Sequence, residues 1–132
     1  MKRGYKALLD EANAAIEAVS PAEAQQLAGD DDVVLVDIRD IRELQREGRV
    51  PGAIHAPRGM LEFWVDPESP YHKEVFASGK TFIFFCAAGW RSALATKTVQ
   101  DMGLTPVKHI EGGFGAWREA GLPIDLPPEK TG

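Results

Sequence analysis

Four consecutive apolar residues, Phe82, Ile83, Phe84 and Phe85, run directly into Cys86, the sole cysteine of the 132-residue chain. An unbroken apolar run this short reads as a strand buried on both faces, the kind found where helices cover a parallel sheet on either side. From Ser92 the pattern turns helical: Ala95, Val99 and Met102 fall on one stripe, and Gly103 is placed as a stop. Cys86 therefore stands where a core strand ends, and residues 87–91 form a tight loop between it and a helix.

Backbone N–H groups of a loop entering a helix converge on whatever fills the loop's mouth, and the helix dipole adds partial positive charge. A thiol in that setting is favoured as thiolate, the nucleophilic form. Arg91 adds a permanent cation five residues on. The competing reading is an inert core thiol, because free cysteine is among the most buried residue types. The strand-end position, with Gly89 and Arg91 following, favours the reactive reading.

Composition narrows the partners. A net charge of -5 argues against a nucleic-acid ligand, which needs a basic face. One cysteine excludes an internal disulfide, and with no C-x-x-C or His/Cys cluster no metal site is expected. His55, His72 and His109 are widely separated and read as surface or satisfied core residues. Asp10, Glu11 and Glu17 interrupt any signal-peptide core, and no stretch approaches the roughly 18 apolar residues of a membrane span. The expected location is cytoplasmic, where a free thiol is compatible with the reducing conditions.

Elsewhere, Leu8, Ala12, Ile16 and Val19 recur at helical spacing, predicting an amphipathic helix over 5–19 whose apolar face packs on the domain. Ser20, Pro21 and Glu23 open a second helix that stops at Gly29, and Asp40 with Glu43 makes a capping box for a third that ends at Gly48. Residues 33–38 read as a buried parallel strand, 53–55 as a short strand between turns, 71–77 as a helix and 107–110 as a further strand. Gly112 and Gly113 permit a tight turn and close backbone approach before a helix that buries Phe114 and Trp117 and ends at Gly121. Residues 126–132 look like a frayed tail. Strands alternating with helices imply an α/β fold, its parallel sheet covered on both faces. Asp37 and Arg39 sit at a strand's carboxyl end, where function gathers in such sheets. A supporting role fits them better than catalysis: the aspartate ties down loop amides and the arginine pairs with a local carboxylate such as Glu43.

Four motifs, V-D-I-R at 36–39, R-V-P-G-A-I-H-A-P at 49–57, C-A-A-G-W-R-S at 86–92 and I-E-G-G-F-G-A-W at 110–117, occur here in one order and spacing. Together they resemble a single-domain rhodanese, a sulfurtransferase. The match covers residues 20–124, leaving an N-terminal helical extension at 1–19 and a tail at 125–132. One departure is Arg49, where many members carry histidine in a turn.

The resemblance implies a five-stranded parallel sheet and a catalytic Cys86 that accepts a sulfane sulfur as a persulfide, cradled by the amides of Ala87, Ala88, Gly89, Trp90, Arg91 and Ser92. The covalent persulfide is the only cofactor-like species expected. The thiolate attacks the outer sulfur of a donor such as thiosulfate, expelling sulfite, and the persulfide passes its sulfur to an acceptor thiol or cyanide. No histidine base is required. With no second cysteine, the acceptor, small thiol or protein, is external. Arg91 either holds the donor's sulfonate or braces the loop against a carboxylate. The loop is otherwise uncharged, so thiosulfate is expected to serve less well than a low-molecular-weight or protein persulfide. The rival enzyme is a cysteine phosphatase or arsenate reductase, whose loops place five residues between cysteine and arginine where this chain has four. The rival of another class is a non-catalytic or regulatory rhodanese-like module that binds a partner, with the N-terminal helix as its docking surface.

Overall fold

The computed structural model describes residues 1–128. Its centre is a five-stranded sheet, all parallel, built from β1 (Glu17–Val19), β2 (Val33–Asp37), β3 (Ile54–His55), β4 (Thr81–Phe85) and β5 (Val107–Ile110). The strand order is β1-β5-β4-β2-β3, so the aromatic strand β4 lies in the middle. Side-chain alternation along β4 divides the core in two. Phe82 and Phe84 join Val36, Ala95 and Val99 on one face, while Ile83 and Phe85 join Leu35, Phe114 and Trp117 on the other. All four are wholly buried, as expected for a strand covered from both sides.

Helices α4 (Leu61–Val65) and α5 (Trp90–Asp101) cover the first face, and α2 (Pro21–Leu27) and α6 (Gly113–Glu119) the second. The third helix, α3 (Ile41–Glu47), follows β2. Local chemistry sets the starts of two of these. The Ser20 hydroxyl accepts from Glu23 N at 3.1 Å with Pro21 in the first turn, and Asp40 and Glu43 form a reciprocal capping box at α3.

The N-terminal segment departs from the expected helix over 5–19. Helix α1 covers only Tyr5–Ala15, Ile16 is extended, and β1 pairs with β5. Ile16 and Val19 fit a helical period, but an edge strand satisfies their backbone and buries Val19 against the sheet. Lys108 and Glu17 form an ion pair across this edge. Helix α1 packs along α5, burying Ala12, with Gln100 Nε2 donating to Ala15 O at 2.9 Å.

Three smaller expectations also change. Residues 71–77 hold only a 3-10 turn, Glu74–Ala77, which buries Phe76. Met102 follows the end of α5 and is largely exposed, although Ala95 and Val99 of its predicted stripe are buried. Arg49 lies in a backbone bridge with Asp125, donating at 3.0 Å and accepting at 2.8 Å, which ties down the start of the expected tail. Residues 129–132 of that tail lie outside the described residues.

Candidate active site

The winding of the sheet reverses between the neighbours β2 and β4: the chain runs from β2 outward to β3 on one side and from β4 outward to β5 on the other. In parallel sheets the crevice beyond the strands' carboxyl ends at such a point is where ligands bind. Cys86 directly follows β4 there, and Ile38 N, just past β2, donates to Phe85 O at 3.0 Å.

Gly89 turns the chain from β4 into α5. Its φ of +101° is left-handed, a conformation that glycine adopts at no steric cost. The turn aims two backbone amides at the sulfur, with Gly89 N 3.2 Å and Ser92 N 3.4 Å from Cys86 Sγ. Trp90 opens α5 and Ser92 lies in its first turn, so the helix dipole acts in the same direction.

The opposite side of the loop is pinned by α6. Phe114 N donates to Cys86 O at 2.7 Å and Gly115 N to Ala87 O at 3.0 Å. Holding these two carbonyls outward leaves the loop's amides to face the sulfur. Only glycine can stand at 113: its φ is +60°, and a Cβ would lie 2.4 Å from Cys86 O. The glycine pair ahead of α6 thus permits the close approach expected of it.

Of the predicted loop residues, Gly89 and Ser92 touch the sulfur. Ala87 is half-buried, and Ala88 and Trp90 are exposed at the rim. The Trp90 ring lies against Tyr5 of α1, centroids 5.2 Å apart. Arg91 is turned to Glu43, making two hydrogen bonds at 2.8 and 2.9 Å. These hold the Glu43 carboxyl down at about 2 and raise Arg91 further above its ordinary value. The pairing with Glu43 is what a brace requires, while the guanidinium also interacts with the Cys86 sulfur.

Asp37 and Arg39 form a second pair, fully buried. Arg39 Nε and Nη2 donate to the carboxylate at 3.0 and 2.8 Å, Nη2 also donates to Gly48 O at 2.9 Å, and Asp37 accepts from Arg39 N at 3.0 Å. The guanidinium stacks over the Phe114 ring, 4.1 Å from its centroid. The partner expected for Arg39 is corrected: Glu43 serves Arg91, and Arg39 takes Asp37, with Glu47 3.5 Å from Nη1. Through Phe114, this pair supports α6 and hence the carbonyls that α6 pins.

His55 and His72 bond backbone carbonyls, Arg39 O at 2.7 Å and Trp64 O at 2.9 Å. His109 does not fit a site without a histidine. Its Nδ1 is 3.1 Å from Ser92 Oγ, which is 3.6 Å from Cys86 Sγ. Sequence reasoning missed this link because 17 residues separate Ser92 from His109. The only local signal was a polar residue in a strand, at a position facing the covering helix.

Among the described residues, no group of three or more His, Cys, Asp or Glu is arranged to hold a metal ion, and no helix is long and apolar enough to cross a membrane.

Comparison with known proteins identifies the family. The family model for the rhodanese-like domain matches residues 20–120. The chain belongs to the rhodanese-like family. A sulfurtransferase from Allochromatium vinosum is 32% identical over 84% of this chain and 95% of its own length. The solution structure of a polysulfide-sulfur transferase homodimer from Wolinella succinogenes is 33% identical with a TM-score of 0.71, covering 95% of this chain and 88% of that one. A Rhodopseudomonas palustris structure, described as a protein of unknown function and possible tyrosine phosphatase, is 61% identical with a TM-score of 0.92, covering 95% and 96%. The chain spans only 54% of the length of an uncharacterized Synechocystis protein to which it is 33% identical. These likenesses support sulfurtransferase chemistry in general and fix the rhodanese-like fold.

Proposed function

We propose that this rhodanese-like protein moves a sulfane sulfur through a Cys86 persulfide. The observation that carries the reading is the pair of amide donors, Gly89 N and Ser92 N, on one buried sulfur. Amides fixed before the reaction stabilise negative charge on sulfur without reorganising during it. The Cys86 thiolate attacks the outer sulfur of the donor, a new S–S bond forms, and the old bond breaks with its electron pair leaving on the donor. With thiosulfate the leaving group is sulfite. An external thiolate or cyanide then takes the outer sulfur, and the thiolate returns. The reading places this chemistry in the cytoplasm, where an unpaired thiol stays reduced.

The donor we favour is a persulfide or polysulfide. Arg91 is spent on Glu43, and the remaining loop side chains are uncharged, so little is left to hold a dianion. The relatedness to a polysulfide-sulfur transferase supports the same choice. Intact mass spectrometry after exposure to a sulfane donor tests the core of the proposal. The expected result is one added sulfur on the wild type and none on Cys86→Ala; no addition with thiosulfate, polysulfide or glutathione persulfide would overturn it.

The description of the Rhodopseudomonas structure favours a second reading, phosphatase activity. Against it stand the four-residue spacing from Cys86 to Arg91, the engagement of that arginine by Glu43, and the engagement of the Asp37 carboxylate by Arg39. Hydrolysis of an aryl phosphate by the wild type, lost in Cys86→Ser, would establish the second reading.

A further inference from the structure

His109 is the one buried titratable side chain connected to the cysteine that the reaction above leaves without a task. It lies on β5, in register with Phe84 on one side and Ala18 on the other, on the sheet face that α5 covers. Cys86, Ser92 and His109 are 1%, 0% and 4% exposed, so water does not compete for their hydrogen bonds.

A serine hydroxyl has one hydrogen to give and two lone pairs to receive. While Cys86 is a thiol, its S–H can donate to Ser92 Oγ and the serine hydrogen goes on to His109 Nδ1. A thiolate has no hydrogen. The serine hydrogen then belongs on sulfur, and Nδ1 must be the donor to Oγ. We propose that His109 is a positioning residue: its Nδ1–H holds the Ser92 hydroxyl so that the hydroxyl hydrogen points at the Cys86 sulfur when that sulfur carries charge. Burial lowers the pKa of His109, partly opposed by the charge of Glu111, so a neutral ring in the Nδ1–H form does this.

The assignment rests on the sulfurtransferase reading for its place in the reaction. When the acceptor thiolate attacks the outer persulfide sulfur, the S–S bond breaks and its electron pair stays on Cys86 Sγ. The amides of Gly89 and Ser92 and the Ser92 hydroxyl then meet that sulfur, with the Arg91 charge beside them. No proton leaves serine or histidine, so the ring acts by orientation and not as a base.

The test uses the full chain with His109→Leu, His109→Asn, Ser92→Ala and the double variant S92A/H109L. Two rates are read at neutral pH: alkylation of Cys86 by iodoacetamide, and single-turnover discharge of the loaded persulfide to cyanide. Removing a hydrogen bond to a charged group is expected to slow both about tenfold in His109→Leu. Asparagine can place an amide N–H near the position of Nδ1, so His109→Asn should return to within about twofold of wild type. The double variant should be no slower than Ser92→Ala alone, because the histidine acts only through that hydroxyl. Wild-type rates in folded His109→Leu, failure of asparagine to restore them, or effects that multiply in the double variant would overturn the proposal. Should His109→Leu not fold, His109→Gln replaces it: its amide lies near Nε2, so it should be slow where asparagine is fast, and equal rates would overturn the assignment. Alkylation needs no sulfur donor. If the wild type accepts no sulfur from any donor, the sulfurtransferase reading fails, while the alkylation rates still decide the role of His109.

Discussion

Two arginine–carboxylate pairs flank the site with similar hydrogen bonding and opposite surroundings. Arg39 and Asp37 have side chains 0% and 2% exposed, whereas Arg91 and Glu43 stand at 42% and 18%. A charge sealed from water cannot change partners, because exposing it uncovers an unpaired ion in a medium that solvates it poorly. The first pair therefore works as a fixed strut between β2, the chain after α3 and Phe114. The second, open to solvent, can exchange its carboxylate for another anion. What an arginine does near a site is set by its burial as much as by its partner.

The largest effect should come from breaking the strut. Arg39→Ala leaves Asp37 buried and uncompensated, and is expected to cost about 3–5 kcal/mol in urea unfolding. A loss near 1 kcal/mol would show that the buried pair behaves like a surface one. A smaller effect, on activity, is expected at the rim. Glu43→Gln removes the countercharge from Arg91 and should lower the KM for thiosulfate about tenfold, the size of one hydrogen bond to an ion. An unchanged or higher KM would make Arg91 a brace alone. The exposed pair's contribution to stability should be smallest, at or below about 1 kcal/mol, and should depend on pH. Glu43 is held at about 2, against an ordinary value of 4.5. Because the folded value is depressed, the contribution is complete above about 4.5 and fades as pH falls toward about 2. Urea midpoints of wild type and Glu43→Gln should converge across that window; a constant gap would remove the linkage.

The two pairs also mark where sequence reading succeeds. Asp37 and Arg39 are two residues apart, and a strand end with charges at its carboxyl terminus was legible as a support point. The exchange of partners was not, because Glu43 and Arg91 are 48 residues apart and only the packed fold brings them together. The same division runs through the chain. The buried strand at 82–85, the caps at Ser20 and Asp40, and the glycine turn before α6 are local features with local causes. The strand at 17–19 was hidden inside a helical period, since its reason to exist is pairing with β5. The link from His109 to Cys86 depends on which way Ser92 faces on α5 and on the register of β5, and neither is written in the spacing of residues.

The edge where β1 meets β5 has a consequence for how the molecule forms. Glu17 and Lys108 are 91 residues apart, and Gln100 reaches back 85 residues to Ala15. Contacts of such span close a long loop before they return any stability, and proteins rich in them fold slowly. Strand β5, which carries His109, and helix α6, which pins the cysteine loop, both lie at the far end of that loop. The sulfur cradle is held otherwise, by Gly89 N and Ser92 N from the residues that follow Cys86 and by Phe114 N on the Cys86 carbonyl, so its assembly does not depend on closing that edge.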